Sequence, residues 1–357
     1  MNAEFDWKDI DAKLTNNFAL LSQLKDEMLR IKDIPGPIPG PDPASAANLV
    51  VTPQQFGAVA NSATDATDAF NQAIEAASAT GAICFIPSGT YIIQDTLTLP
   101  WDVRIVGSGM YRTSLKWNGA PGGVVLSTAR LTSGLISTNT NFVGHLEGFS
   151  IVYPAQLLAK NSTALYVAMP SGTIQDLGVF AGQGAPVAGT QGVVFDGTAN
   201  MIPFRTTVNV QGGLESGIVV GCNHIVLEAA TVAYAQDGIV IKSDSLDDSS
   251  GPPYNVNIFG SHGFRNTQSF IRATNLHSAQ VFGGFNESFS AATLYVDATC
   301  TGFISVNSVS TVGGARIKTF STNTRIYFRD PQDFTSGTFI GSSNGTPEKI
   351  PEGTWIN

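Results

Sequence analysis

Cysteine, charge and long apolar runs are all scarce in this sequence. Its 357 residues include only three cysteines, Cys84, Cys222 and Cys300, and 13% of its residues are charged. Three widely spaced cysteines form neither a disulfide framework nor a zinc-binding pattern, so we expect small buried thiols. The apolar runs are shorter than the roughly 18 residues of a membrane-spanning helix, so no membrane insertion is expected.

Positive charge is also scarce, and this bears on the partners. The formal net charge at pH 7 is −9. Nucleic-acid phosphates are bound by clustered Lys and Arg, so the composition argues against a nucleic-acid partner. The four histidines, His145, His224, His262 and His277, have no metal-binding spacing. No P-loop, dinucleotide fingerprint or Ser-His-Asp elbow is present, so no cofactor is expected.

The first 34 residues differ from the rest of the chain. They begin MNAEFDWKDIDAK, which is acidic and lacks an apolar signal-peptide core, so synthesis in a cytoplasm is expected. A mostly apolar seam has heptad spacing: Trp7, Ile10, Leu14, Asn17, Leu21, Leu24, Met28 and Ile31. This pattern predicts a coiled coil, and Leu at a with Ile at d favours three or four helices over two. An amphipathic helix packed on its own domain is the alternative.

A proline-rich stretch follows the heptads. Residues 34–43, IPGPIPGPDP, cannot continue a helix, because each proline lacks an N–H donor and has a fixed φ. A stiff polyproline-II linker fits these residues. We therefore divide the chain into a stalk at 1–34, a linker at 35–50, a body at 51–335 and a C-terminal segment at 336–357.

The body opens with a helical pattern and then breaks into short strands. One apolar stripe within residues 65–79 predicts a helix; its members are Phe70, Ala73, Ile74 and Ala77. The next stretch, ICFIPSGTYIIQDTLTL at 83–99, has apolar runs too short for helices, and Pro-Ser-Gly divides them. A single helix followed by short strands is therefore predicted here.

Four motifs follow one another between residues 56 and 109. They are Phe-Gly-Ala, Asp-x-Thr-x-Ala, Pro-x-Gly-x-Tyr and Gly-x-Gly, formed by Phe56, Gly57, Ala58, Asp65, Thr67, Ala69, Pro87, Gly89, Tyr91, Gly107 and Gly109. In this order they resemble the opening segment of pectate-lyase-like proteins, in the branch that includes phage tailspikes. Ala66 stands where many members have a second Asp. The resemblance implies an all-β fold: a right-handed parallel β-helix, or solenoid, with an N-terminal capping helix.

Weak internal repeats support this fold independently. Short apolar segments recur at steps of 28, 25, 21, 31, 24 and 21 residues: ALYV (164–167), GVVF (192–195), GIVV (217–220), GIVI (238–241), SFIR (269–272), TLYV (293–296) and GARI (314–317). A unit of about 20 to 30 residues with several short strands is typical of a stacked solenoid. An antiparallel sandwich is the alternative, but few Asn-Gly or Asp-Gly hairpin pairs occur.

Candidate catalytic residues follow from the requirements of glycoside hydrolysis. This reaction needs two carboxyl groups about 5 to 9.5 Å apart, and stacked strands lie about 4.8 Å apart. Glu215 and Asp237 precede GIVV and GIVI at nearly equivalent places in successive coils, so both are expected to face one groove. Glu228 and Asp176 are the next candidates. The alternative is a lyase reaction, which needs a base such as Lys, Arg or His beside a calcium-bound or otherwise neutralised uronate.

Candidate sugar-binding residues lie in turns and in one insertion. Aromatic side chains in turns are able to stack on sugar rings. The aromatic candidates are Tyr234 and Tyr254, with Trp101, Tyr111, Trp117 and Tyr153 in similar positions. The acidic candidates, within the insertion KSDSLDDSSGPP, are Asp244, Asp247 and Asp248. Loops that leave a rigid scaffold commonly carry binding residues.

Together, these patterns and the resemblance predict a phage tailspike. We expect a homotrimer that joins other phage tail or baseplate proteins through its N-terminus and is located in the virion tail. Its expected ligand is a bacterial surface polysaccharide: capsule, O-antigen or exopolysaccharide. Two hypotheses apply to the body. The first is a depolymerase, for which a glycosidase is preferred to a lyase; the second is an adhesive or structural spike without turnover. A secreted pectinase-like enzyme is disfavoured by the N-terminal heptads. Residues 345–354 resemble the start of a C-terminal tailspike module, abbreviated or processed here.

Overall fold

The computed structural model describes most of the chain from residue 49 onward. Outside the described residues lie 1–48, 62, 101, 129–143, 169–171, 197–203, 243–252, 254, 288–291, 312–316, 320, 322–323, 330–338, 342–346, 350–354 and 357. The predicted coiled coil and nearly all of the predicted linker therefore fall outside them, as do Trp101, Tyr254 and the three aspartates of the acidic insertion.

The larger of two sheets contains 18 strands. They are β1 (Val50–Val51), β2 (Ile83–Ile86), β3 (Gly89–Ile93), β5 (Arg104–Gly107), β6 (Thr113–Trp117), β8 (His145–Tyr153), β10 (Thr173–Ala181), β12 (Phe204–Gln211), β14 (Ile225–Glu228), β15 (Thr231–Ala233), β17 (Val256–Phe259), β18 (His262–Phe264), β20 (Ser278–Phe282), β21 (Phe285–Glu287), β23 (Phe303–Asn307), β24 (Ser310–Thr311), β26 (Arg325–Arg329) and β29 (Trp355–Ile356).

The smaller sheet contains 11 strands. They are β4 (Leu97–Leu99), β7 (Val124–Thr128), β9 (Thr163–Ala168), β11 (Val187–Asp196), β13 (Leu214–Val220), β16 (Asp237–Lys242), β19 (Ser269–Thr274), β22 (Ala292–Val296), β25 (Ile317–Thr319), β27 (Phe339–Gly341) and β28 (Pro347–Lys349). Pairing is parallel in both sheets, except that β29 and β28 join β26 and β27 in antiparallel orientation.

Successive turns of the chain contribute to both sheets. Two short strands of the larger sheet precede one strand of the smaller sheet, as in β14, β15 and β16, and this order recurs in β17, β18 and β19. In β8 and β12 the two larger-sheet segments are continuous, because each of these strands pairs with two strands of a neighbouring turn. This arrangement is consistent with a β-helix, so the predicted all-β solenoid is confirmed at this level.

The repeats predicted from the sequence all contribute to the smaller sheet. Their in-register residues are Leu165, Val193, Ile218, Ile239, Ile271, Leu294 and Ile317. In most repeats the second residue is the paired one. In SFIR it is the third residue, Ile271, and in GARI it is the fourth, Ile317. Register follows the stacking of buried aliphatic side chains, and these are shifted within the two segments.

One α-helix, α1 (Thr67–Thr80), lies at the start of the described body and agrees closely with the predicted 65–79. It contacts β1, β2, β4 and β5. All four residues of the predicted stripe are buried, and Phe70 meets Tyr91 edge-on with ring centroids 5.1 Å apart. Pro53–Phe56 and Ala155–Leu157 are short 3-10 helices. Within the described part of the chain, no helix is long and apolar enough to cross a membrane.

The interior between the sheets contains one continuous apolar core. The three cysteines are free and buried in it, as predicted. Burial raises the pKa of the Cys84 thiol to about 12 and also raises the pKa of Cys222 and Cys300. These thiols are therefore packing groups, because a nucleophilic cysteine needs an accessible thiolate.

Candidate functional site

A groove of about 590 Å³ lies on the outer face of the smaller sheet. Residues of six consecutive strands of that sheet, from β7 to β19, contribute to its lining. Alternation along β16 shows how this arises, since Ile239 and Ile241 enter the core while Val240 and Lys242 line the groove. Val240 also belongs to an outer apolar row, which is separate from the core.

Asp237 is held in a fixed ion pair at the groove. The Ser269 hydroxyl donates to its Oδ1 at 2.6 Å, and Arg272 Nη1 donates to its Oδ2 at 3.1 Å. Arg272 Nη1 also donates to Gln268 Oε1 at 3.1 Å, and its guanidinium carbon lies 4.8 Å from the Tyr295 ring centroid. Asp237 is buried, whereas Arg272 is partly exposed. Both carboxylate oxygens of Asp237 are therefore engaged within the protein.

Glu215 is the second carboxylate of the groove. The Gly189 N–H donates to its Oε2, and the Glu215 N–H donates to the Thr190 hydroxyl at 3.0 Å. The register pairs Asp237 with Ser216, so the two predicted residues are offset by one position. Both nevertheless line the same groove, as the sequence analysis expected.

Glu228 and Asp176, the other catalytic candidates, lie in the larger sheet. Glu228 ends β14, and Asp176 is in β10. Neither lines the groove with Glu215 and Asp237. Asp176 has a φ of 47°, a left-handed conformation that Asp adopts more readily than most residues. Asp176 is therefore exposed at an irregular position within β10.

The aromatic candidates have different environments. Trp117 and Tyr153 are buried against each other, with ring centroids 5.9 Å apart, so their faces are not open to a sugar. Tyr234 is half-buried and meets Phe264 edge-on at 5.6 Å. Tyr111, in contrast, is 77% exposed. Tyr111 therefore has the most accessible ring among the candidates that the structure describes.

A family model matches more than half of the chain. It is described as "Rhamnogalacturonase A/epimerase, pectate lyase-like" and covers residues 51–251. The chain belongs to this pectate-lyase-like family. The motifs between residues 56 and 109 fall inside the matched region, so the family resemblance is confirmed.

Two solved structures share the fold of this pectate-lyase-like chain at low identity. The phiAB6 phage tailspike, solved with oligosaccharides of Acinetobacter baumannii surface polysaccharide, is 11% identical with a TM-score of 0.53. The match covers 75% of this chain and 49% of the tailspike chain. The Streptococcus pneumoniae surface adhesin PfbA is 14% identical with a TM-score of 0.51, covering 83% and 87% of the two chains. At these identities, the likeness shows the fold alone.

A curated relative matches only a short region. The non-secreted LysM effector LysM19 of Penicillium expansum is 43% identical over 58 residues. These residues are 16% of the pectate-lyase-like chain and 5% of the effector, so this chain spans a small fraction of that relative's length.

Sequence reasoning missed two features of the groove. Arg272 is 35 residues from Asp237 in the chain, and only the corrected register of SFIR places it beside Val240. Tyr166, also in the lining, donates its hydroxyl to the buried Asp196 at 2.6 Å. No cluster of three or more metal-ligating side chains occurs among the described residues.

Proposed function

We propose that this chain is a phage tailspike whose body binds a bacterial surface polysaccharide in the groove of the smaller sheet. The observation that carries the proposal is the lining of the groove. Glu215, Lys242 and Arg272 provide charged groups, Gln191 provides an amide, and Val240 provides an apolar contact. Polysaccharides present hydroxyls together with apolar ring faces, so a mixed lining of this kind suits them. Membership of the pectate-lyase-like family and the fold shared with a tailspike support the proposal.

The assembly is proposed from the heptads and the family. Residues 1–34 form a trimeric coiled-coil stalk, and 35–50 form a stiff linker. Residues 51–335 form a right-handed β-helix that α1 caps, and 336–357 form a C-terminal segment that resembles the start of a tailspike module. The N-terminus joins other tail or baseplate proteins, which places the chain in the virion tail.

Cleavage of the bound glycan is the finer proposal. A glycosidase needs one carboxyl group to protonate the leaving oxygen and a second to act as base or nucleophile. Ser269 and Arg272 both donate to Asp237, an arrangement that suits a carboxylate anion. We assign Asp237 as the base and Glu215 as the proton donor. Glu215 gives its proton to the leaving oxygen, while Asp237 takes a proton from the water whose hydroxyl ends on the anomeric carbon. Exchange with solvent then removes the proton from Asp237 and returns one to Glu215.

A non-catalytic adhesive spike is the second candidate. It is favoured by the burial of Asp237 and by the engagement of both its oxygens. A carboxylate held in this way approaches a substrate poorly. In this case the groove binds the polysaccharide without turnover.

Incubation of the full-length protein with surface polysaccharide from candidate host bacteria tests both candidates. New reducing ends without absorbance of unsaturated uronates support hydrolysis, whereas both signals together indicate a lyase. Sedimentation of the protein with the polysaccharide, without new ends, identifies an adhesive spike. If the polysaccharide of the phage's own host gives no co-sedimentation and no product, the proposed function is wrong.

A further inference from the structure

The turn between β5 and β6 lies across β8. A Cβ atom on Gly107 would overlap the carbonyl oxygen of Gly148 in β8, so only glycine permits this approach. The Gly109 N–H donates to the same Gly148 oxygen at 2.7 Å. The N–H groups of Arg112 and Thr113 in turn donate to the Gly109 oxygen at 2.9 and 3.0 Å. The backbone of the turn is therefore fixed on the sheet.

Met110 and Tyr111 extend from this turn onto β10. Met110 lies over Gly178, where an added Cβ would be 2.8 Å from its Cγ. The Tyr111 ring stacks on Phe180, with centroids 5.9 Å apart and an interplanar angle of 25°. Because Tyr111 is still 77% exposed, the ring face opposite Phe180 is open to solvent. A rigid turn thus presents an aromatic platform that the core does not need.

A hollow of about 220 Å³ opens beside Met110. Asp176, Thr207 and Asn209 line it, and the Asp176 carboxylate makes no hydrogen bond or ion pair with the described residues. The Thr207 hydroxyl accepts from the Asp176 N–H at 3.2 Å, which leaves its O–H as a donor. The Asn209 oxygen accepts from Gln211 Nε2 at 3.1 Å, which leaves its amino group as a donor. The hollow therefore offers one acceptor carboxylate and two donors.

We propose that the Tyr111 platform and this hollow form a second saccharide-binding site, which takes a neutral hexopyranose unit of the polysaccharide. The proposal rests on the proposed polysaccharide binding, but the site lies on the larger sheet, apart from the groove. Tyr111 stacks on the apolar face of the sugar. The Asp176 carboxylate accepts from two sugar hydroxyls, while Thr207 and Asn209 donate to others. An anionic sugar is disfavoured, because Asp176 repels its charge.

Saturation-transfer NMR on the full-length protein tests the site. The probes are the methyl glycosides of glucose, galactose, mannose and N-acetylglucosamine, with methyl glucuronide as the anionic comparison. We expect saturation of at least one neutral probe and a weaker signal from the glucuronide. Tyr111→Ala should weaken binding of that neutral probe about tenfold, the scale of an aromatic contact, and Asp176→Asn should also weaken it. Tyr111→Phe should retain it, because the ring is kept.

Gln191→Ala, which removes an amide from the groove lining, provides the groove control and should leave the Tyr111-dependent signal unchanged. Equal signals from the unmodified protein and Tyr111→Ala overturn the second site, as does the absence of signal from every neutral probe. Signals lost in Gln191→Ala but kept in Tyr111→Ala place the sugars in the groove, which refutes this site and leaves the proposed function standing. An altered oligomer mass in Tyr111→Ala, with unchanged NMR signals, identifies a protein contact on this face and overturns the proposal.

Discussion

Arg272 and Asp237 form an ion pair at the groove, with Nη1 3.1 Å from Oδ2. The side chain of Asp237 is 4% exposed and that of Arg272 is 24% exposed. Removing one partner from such a pair leaves a buried charge without compensation, which costs more than the pair itself contributes. Arg272 is therefore expected to support the folded groove as well as to contact a ligand.

Arg272→Met should destabilise the protein by about 2 kcal/mol, because buried Asp237 loses its cation; this is below the range for fully buried pairs since Arg272 is partly exposed. Urea unfolding measures the change. Arg325→Met, at an exposed position of β26, should change stability by less than about 0.5 kcal/mol. Adding Asp237→Asn to Arg272→Met should recover part of the loss. Equal effects of the two arginine variants would argue against the ion pair.

Glu215→Gln should lower turnover of a cleavable polysaccharide by about two orders of magnitude or more, the usual scale for an acid–base group. Asp237→Asn should do the same, because either amide removes a carboxyl group from the pair. Polysaccharide binding should survive in both, since shape is conserved. Reducing-end assays and co-sedimentation measure the two properties. Glu75→Gln, on the exposed side of α1, is the control. Full activity in both groove variants would direct attention to Glu228, Asp176 and the acidic insertion.

Cys84 should make the protein sensitive to alkaline pH. Its thiol has a folded-state pKa of about 12 against an ordinary value of 9.0, so the unfolded chain loses this proton first. The stabilisation is complete below pH 9 and is lost as the pH rises towards 12, by up to about 1.4 kcal/mol per pH unit. Urea unfolding at pH 8 and pH 10 should show a smaller decrease for Cys84→Ala than for the unmodified protein. An identical decrease would contradict this account.

Gly302→Ala should strongly destabilise the coil that contains β23. An added Cβ would overlap the backbone oxygen of His277, which also accepts from the Phe303 N–H at 2.8 Å. The expected loss is about 3 kcal/mol, the upper end for overpacking, because backbone cannot move aside as a side chain does. Gly260→Ala is the control: its φ is +56°, but its Cβ would meet nothing within 4 Å. It should cost about 1 to 2 kcal/mol, so thermal unfolding should rank the two variants clearly.

The full-length chain should have the mass of three chains by light scattering, because the heptads at 1–34 favour a trimer. Deleting these residues should weaken assembly and leave the circular dichroism of the body intact, since a solenoid is stabilised by neighbouring coils. A monomeric mass for the full-length chain at micromolar concentration would refute the trimer.

The fold was accessible from the sequence because its signals are local. The stripe around Phe70 and the break at Pro87 each depend on neighbouring residues, and both elements have the expected positions. The apolar segments GIVV and GIVI identified strands because buried aliphatic residues must stack in a solenoid. Local signals were enough for strand identity, and for register wherever successive coils had matching segments.

The site was only partly accessible, since it depends on distant pairings. Placing Glu215 and Asp237 in one groove needed only the repeat, but their one-residue offset follows from the pairing of Asp237 with Ser216. Predicting the Arg272 contact required the correct register of β19. Aligning SFIR with GIVI by position pairs Phe270 with Ile239, whereas in the structure Ile271 is the partner of Ile239. The accessible ring of Tyr111 depends on Gly148 and Gly178, which lie in other strands.

The groove takes its lining from six adjacent strands of one sheet. Neighbouring strands are about 4.8 Å apart, so the five intervals between β7 and β19 span about 24 Å. Gain or loss of a whole coil changes this length by one interval and leaves the remaining coils in contact as before. The length of the groove therefore changes in steps of one strand spacing. The length of glycan that the groove holds is set by the number of coils that contribute to it.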